Sequence, residues 1–268
     1  MAGGQDAADT RMMGIVHAAL RRDLMRTRET LHRRPCPVGR QRRALGEHVV
    51  WMMDWLYEHH TGEDEGLWPL VRQHNPGAGP LLDAMQADHE RITPAAERLT
   101  GAGTRYATTT GDQAREDLVT ALDELTAVLL PHFDREVAEV MPVVSASITR
   151  ADWDAHEQRY HINPKSPAEL AMEGLWLIDG IEPEGYRLVV GAVSPAKRFV
   201  LEHGFGWLYR RRARTRWQPP AARTTPTSED TPASDQPLSS PARVSPGTPR
   251  GSRRQPENNE KPIDSSPP

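Results

Sequence analysis

The chain has 268 residues, a formal charge of −4 at neutral pH and a single cysteine. That length covers one or two domains, the small net charge selects no partner class, and a lone thiol, Cys36, cannot form an internal disulfide, so it reads as an incidental loop cysteine of a cytoplasmic protein. Residues 1–10 lack the basic start and apolar stretch of a secretory leader, and no apolar run approaches the ~20 residues that a transmembrane segment needs.

Residues 1–10 read as a disordered start. Helical periodicity then predicts four long helices within 11–160. The first, over 11–33, carries the inward stripe Met13, His17, Leu20, Leu24 and Leu31. The second, over 40–73, carries Leu45, His48, Met52, Trp55, His59 and Glu63. The third, over 79–100, carries Leu82, Met85, His89, Ile92 and Leu99. The fourth, over 112–144, carries Leu118, Leu122, Leu125, Leu129, His132 and Glu136. Breaks fall at 35–39, at Asn75-Pro76-Gly77 and across the Gly- and Thr-rich stretch 101–111. Pro69, Pro94 and Pro142 lack an N–H and are expected to kink or end their helices. Thr149-Arg150-Ala151-Asp152 has the form of a capping box before a segment ending near Tyr160. Ser166-Pro167-Ala168-Glu169 and Ser194-Pro195 mark helix starts within 161–217. Residues 218–268, rich in Pro, Ser and Thr with no aromatic residue, cannot offset their chain entropy by burial and read as a disordered tail. The expected class is therefore all-α: an up-down-up-down four-helix bundle over 11–160, short C-terminal helices over 161–217, and the tail.

One spacing occurs twice. His59 and Glu63 stand four residues apart, as do His132 and Glu136, and single histidines, His17 and His89, precede the pairs by 42 and 43 residues. Residues i and i+4 share a helix face with Cβ atoms ~6 Å apart, so each pair can aim an imidazole nitrogen and a carboxylate oxygen at one ion. A single such pair is commonly a surface contact. Four histidines on apolar stripes would each need a buried partner, which metal ligation supplies together. Nitrogen and oxygen donors without thiolate suit iron, manganese or zinc more than copper(I) or an iron–sulfur cluster. Depth agrees about the first turn, where His17 and His59 lie ~24 and ~30 Å away, but the arms to His89 and His132 differ by ~13 Å. His60, ~100° around the helix from His59, is expected half-exposed or packed beside the ligands, with ligation itself the lesser reading. Glu90 is also off the stripe, and His48, ~16 Å from His59, reads as a core histidine. His32, His74, His156, His161 and His203 read as ordinary, and Trp51, Trp55 and Trp68 as core. The basic run Arg210–Arg216 beside Trp207 and Trp217 reads as a solvated helix end or a contact with an anionic surface; no specific nucleic acid is predicted.

These residues resemble the hemerythrin-like, or HHE cation-binding, domains. The marks are Val16-His17-Ala18-Ala19-Leu20, Glu58-His59-His60-Thr61-Gly62-Glu63-Asp64 followed by Leu67-Trp68-Pro69, Asp88-His89-Glu90, and His132-Phe133-Asp134-Arg135-Glu136 followed by Val140-Met141-Pro142. The resemblance covers about 11–160, and the stretch to 217 is similar to the extension of actinobacterial members. It implies a bundle around a non-haem, carboxylate-bridged pair of iron ions, with manganese or zinc as alternatives. His17 and His59 would hold one ion, His89 and His132 the other, and Glu63 and Glu136 would bridge. Two departures stand out. Thr93 occupies the place of a second third-helix histidine in oxygen-carrying members, and the last helix has His-x3-Glu where they have His-x4-Asp. Six ligands leave more open coordination, which favours chemistry or sensing over oxygen storage. The expected function is binding or sensing of O2 or NO, or of iron or redox state. The alternatives are a di-iron enzyme acting on peroxide or a small oxidisable substrate, and a metal-free helical interaction protein. No catalytic residue is assigned.

Overall fold

The computed structural model describes residues 6–191, 194 and 198–218; residues 1–5, Pro195 and the expected tail beyond 218 lie outside them. Helix α1 spans Arg11–His32. Helix α2, Gly39–Gly62, passes through a π turn, Glu63–Leu67, into α3, Trp68–His74. After a 3-10 turn comes α4, Gly79–Thr108. Helix α5, Asp112–Arg135, passes through a second π turn, Glu136–Val140, into α6, Met141–Ser147. The short helices α7, Arg150–Glu157, α8, Pro167–Leu177, α9, Pro183–Gly191, and α10, Gly206–Trp217, follow. Further π turns cover Gln158–Ile162 and Val200–Phe205. Among the described residues no helix is long and apolar enough to cross a membrane.

The four long rods close a ring: α1 packs on α2 and α5, α2 on α4, and α4 on α5. The predicted stripes face inward and form two apolar clusters. One holds Leu20, Leu24, Met52, Leu99, Leu122 and Phe133. The other holds Leu67, Trp68, Leu82, Met85, Val140 and Val144. Along all four long rods, α1 with Met13 and Leu20 included, the candidate donors fall at the boundary between the two clusters.

Three expectations change. Helix α4 runs eight residues past the predicted end, and the loop shrinks to residues 109–111. Gly101 and Gly103, read as breakers, are helical, and at Gly103 the backbones of α2 and α4 cross closely: a Cβ on Gly46 would lie 2.5 Å from the Gly103 carbonyl oxygen. Thr100, Thr104 and Thr108 donate back to carbonyls four residues earlier, which lets a Thr-rich stretch stay helical. The longer helix places His89 and His132 nearly equidistant from Thr110, within about one residue or ~1.5 Å, so the depth mismatch disappears. Pro94 lies inside α4 without ending it. Residues 6–10, expected to be disordered, lie against the bundle: the Ala8 N–H donates to the Ile148 carbonyl, and Ala8 is buried.

Both capping boxes form, Thr149 with Asp152 and Ser166 with Glu169. The second starts α8, which drives Leu175 and Trp176 into the bundle's core. The Trp176 indole N–H donates to Asp23 on α1 at 3.0 Å, and the same carboxylate accepts from His48 at 2.8 Å. Arg22 donates to the carbonyls of Trp176 and Asp179, and Gln41 to those of Arg216 and Gln218. His48 is thus the core histidine expected from the sequence.

Candidate metal centre

The π turns after α2 and α5 each begin at the glutamate of a His-x-x-x-Glu pair and run up to the residue before an apolar–proline step, Trp68-Pro69 or Met141-Pro142. The prolines cannot donate the i→i−4 bond, so the helix widens and the N–H groups of Trp68 and Met141 reach back five residues to Glu63 and Glu136. The widened turns keep both carboxylates on the inner face and fully buried.

His17, His59, Glu63, His89, His132 and Glu136 meet there. His17 Nε2 lies 3.2 Å from His59 Nε2 and 3.4 Å from Glu136 Oε2. Glu63 reaches His59 Nε2 through one oxygen at 3.3 Å and His89 Nε2 through the other at 3.5 Å. Glu136 Oε2 also lies 3.5 Å from His132 Nε2. Each carboxylate therefore touches two histidines, one of them on another helix. Two donors held ~2.1 Å from one ion stand ~3.0–3.4 Å apart, close to the 3.2–3.5 Å found. Phe133 stacks on His17 at 3.9 Å and Trp55 on His59 at 5.0 Å between ring centroids, fixing both imidazole planes. His89 Nδ1 bonds Asp64 at 2.9 Å, which aims its Nε2 inward.

The electrostatics match a site made for positive charge. Both oxygens of Glu63 and of Glu136, together with His89 Nε2, are buried without a hydrogen-bond partner. Each such atom costs ~1–3 kcal/mol if left unsatisfied. Burial, then the neighbouring Glu136 carboxylate, pushes Glu63 well above the usual carboxylate range, and burial lifts Glu136 to about 7. Burial lowers His17 to about 3 and His132 to about 2, and holds His59 and His60 well below the usual imidazole value. These four histidines are thus neutral, the form that binds a metal.

A family model described as the hemerythrin HHE cation binding domain matches residues 9–144. The chain belongs to that family. No curated protein and no solved structure matches it. The hemerythrin-type match ends within α6, so α7 to α10 lie beyond it. Inside it, the donor set of imidazoles and carboxylates, buried and unpartnered, fits a bound cation.

Of the two places the sequence allowed His60, the structure has the one beside the ligands. It is buried, not half-exposed, stacks on His89 at 3.9 Å, and brings a ring nitrogen within 4.8 Å of donors on His89 and His132. The i+1 position faces α4, which covers it. Thr93, in place of a further histidine, donates to the His89 carbonyl instead. His32, His74, Glu90 and His203 are exposed and apart from the centre. His156 and His161, read as ordinary, converge with Glu157. Of the basic run, Arg210, Arg211, Arg212 and Arg214 are exposed, whereas Arg216 is buried beside Tyr209 and Trp217.

Proposed function

We propose that His17, His59, Glu63, His89, His132 and Glu136 hold two iron ions bridged by the two carboxylates, and that this centre binds or senses O2, NO or peroxide, or reports iron or redox state. The observation that carries the reading is the buried, unpartnered state of both glutamates, each touching two histidines. A bound iron pair would supply exchangeable coordination positions and one-electron chemistry. Manganese or zinc suits the same donors.

The chain's own groups define the surroundings. Asp64 orients His89, and the rings of Phe133 and Trp55 hold His17 and His59. A cavity of about 360 Å³, lined by Met53, Leu56, Tyr57, His60, His89 and Thr93, leads to the His60–His89 side. Its size suits a small molecule, and His60 supplies a third imidazole on that side. The same cavity is the observation that favours the second reading, an enzyme acting on peroxide or a small oxidisable substrate. An anionic partner, if one binds α10, would meet Arg210, Arg211, Arg212 and Arg214.

The test is the purified iron-loaded chain, followed optically after addition of NO, O2 or peroxide. A sensor gives stable, reversible spectral states; an enzyme gives continuing loss of peroxide. A chain that binds no metal would leave only a helical interaction protein.

A further inference from the structure

We propose that His156, Glu157 and His161 form a separate mononuclear site for one divalent first-row ion, zinc serving as the probe. One donor atom from each lies within 4.8 Å of the others. His156 is buried and the other two are half-buried, and among the described residues no hydrogen bond joins any of these three side chains to a protein group. Two neutral imidazoles and one carboxylate, with the remaining positions open, are the donor set of open zinc sites and of ferrous facial triads.

The backbone is shaped to bring them together. Residues five apart sit ~140° around a regular helix and would not meet. The π turn Gln158–Ile162 changes that period, and the His156 and His161 ring centroids come to 5.5 Å. The end of α2 and the turn after it lack a side chain at the two places where the trio approaches. A Cβ on Gly62 would lie 2.9 Å from His161 Cε1, and one on Gly66 would lie 2.9 Å from His156 Nδ1 and 2.3 Å from Tyr160 Cε2. Tyr160 ties the segment down by donating to the Glu65 carbonyl. His161 stands 6.2 Å from His59 between ring centroids, so the ion would lie beside the buried centre without using its donors. The proposal does not depend on the ligand assignment of that centre.

The experiment is zinc stoichiometry and affinity on the metal-stripped full chain, by equilibrium dialysis and chelator competition. The variants are His156→Ala/His161→Ala, Glu157→Gln and His59→Ala/Glu63→Ala. The first should bind one zinc ion fewer than the parent, and Glu157→Gln should bind that ion at least ~10-fold more weakly. The third should keep the ion. Should the double histidine variant fail to fold, Glu157→Gln decides: its carboxylate makes no bond that folding requires. Unchanged zinc stoichiometry and affinity in folded Glu157→Gln, or in the folded double variant, would overturn the proposal. Failure of the buried centre gives a different pattern, in which the wild type holds one zinc ion that only the His156, His161 and Glu157 substitutions disturb.

Discussion

At the scale of single residues, the site is written as polar interruptions in apolar stripes. His17, His59, Glu63, His89, His132 and Glu136 were legible because each replaces a leucine-like position at helical spacing. All six are now within a few ångströms of one another. Replacing His59 or Glu63 by alanine should lower bound iron by about half or more, whereas His74→Ala, on an exposed helix end, should not; equal iron in all three would contradict the assignment. Asp64→Ala removes no proposed ligand, only the bond that aims His89, and should weaken metal binding ~10-fold or more in chelator competition. His60 was legible only as a choice between half-exposed and packed beside the ligands, because burial of an i+1 position depends on how α4 covers α2. His156 and His161 were not legible because a π turn abolishes the period on which the reading relied.

At the scale of elements, two π turns and one close crossing set the geometry. The prolines were legible, but their effect differs: Pro69 and Pro142 accompany widened turns at the glutamates, whereas Pro94 is absorbed within α4. The Gly46–Gly103 approach explains why a loop-like composition is helix. Gly46→Ala should cost ~1–3 kcal/mol in urea unfolding, and an unchanged midpoint would refute the crossing. The Asp23–His48 bond joins α1 to α2 and carries a pH dependence. Burial outweighs that bond and lowers His48 to about 4, so the imidazole is neutral at pH 7 and donates to an ionised Asp23. Burial alone would raise Asp23, but His48 and Arg22 hold its carboxyl well below the usual range. Both folded values lie below the unfolded ones. Stability from His48 is therefore full above about 6.5 and falls as pH drops toward 4, and the Asp23 contribution is lost at still lower pH. The urea midpoint of His48→Gln should vary less than wild type between those values; parallel curves would exclude this linkage.

At the scale of the whole molecule, the bundle and the helices after it share a core. Leu175, Trp176 and Tyr209 belong to the same buried cluster as residues of α1, α2, α4 and α5. The sequence showed where these helices start but not where they dock, since the docking contacts come from residues such as Asp23, Arg22 and Gln41 that carry no periodic signal. Trp176→Ala should cost ~3–5 kcal/mol, because it opens a cavity and removes a donor from a buried carboxylate. Cutting the chain after Gln218 should leave metal content and thermal midpoint nearly unchanged. The most direct measurement is iron quantification with optical and Mössbauer spectra of the oxidised full chain. The expected result is a magnetically coupled pair of ions, lost together in Glu63→Ala. Isolated ions only, or no bound iron, would contradict it.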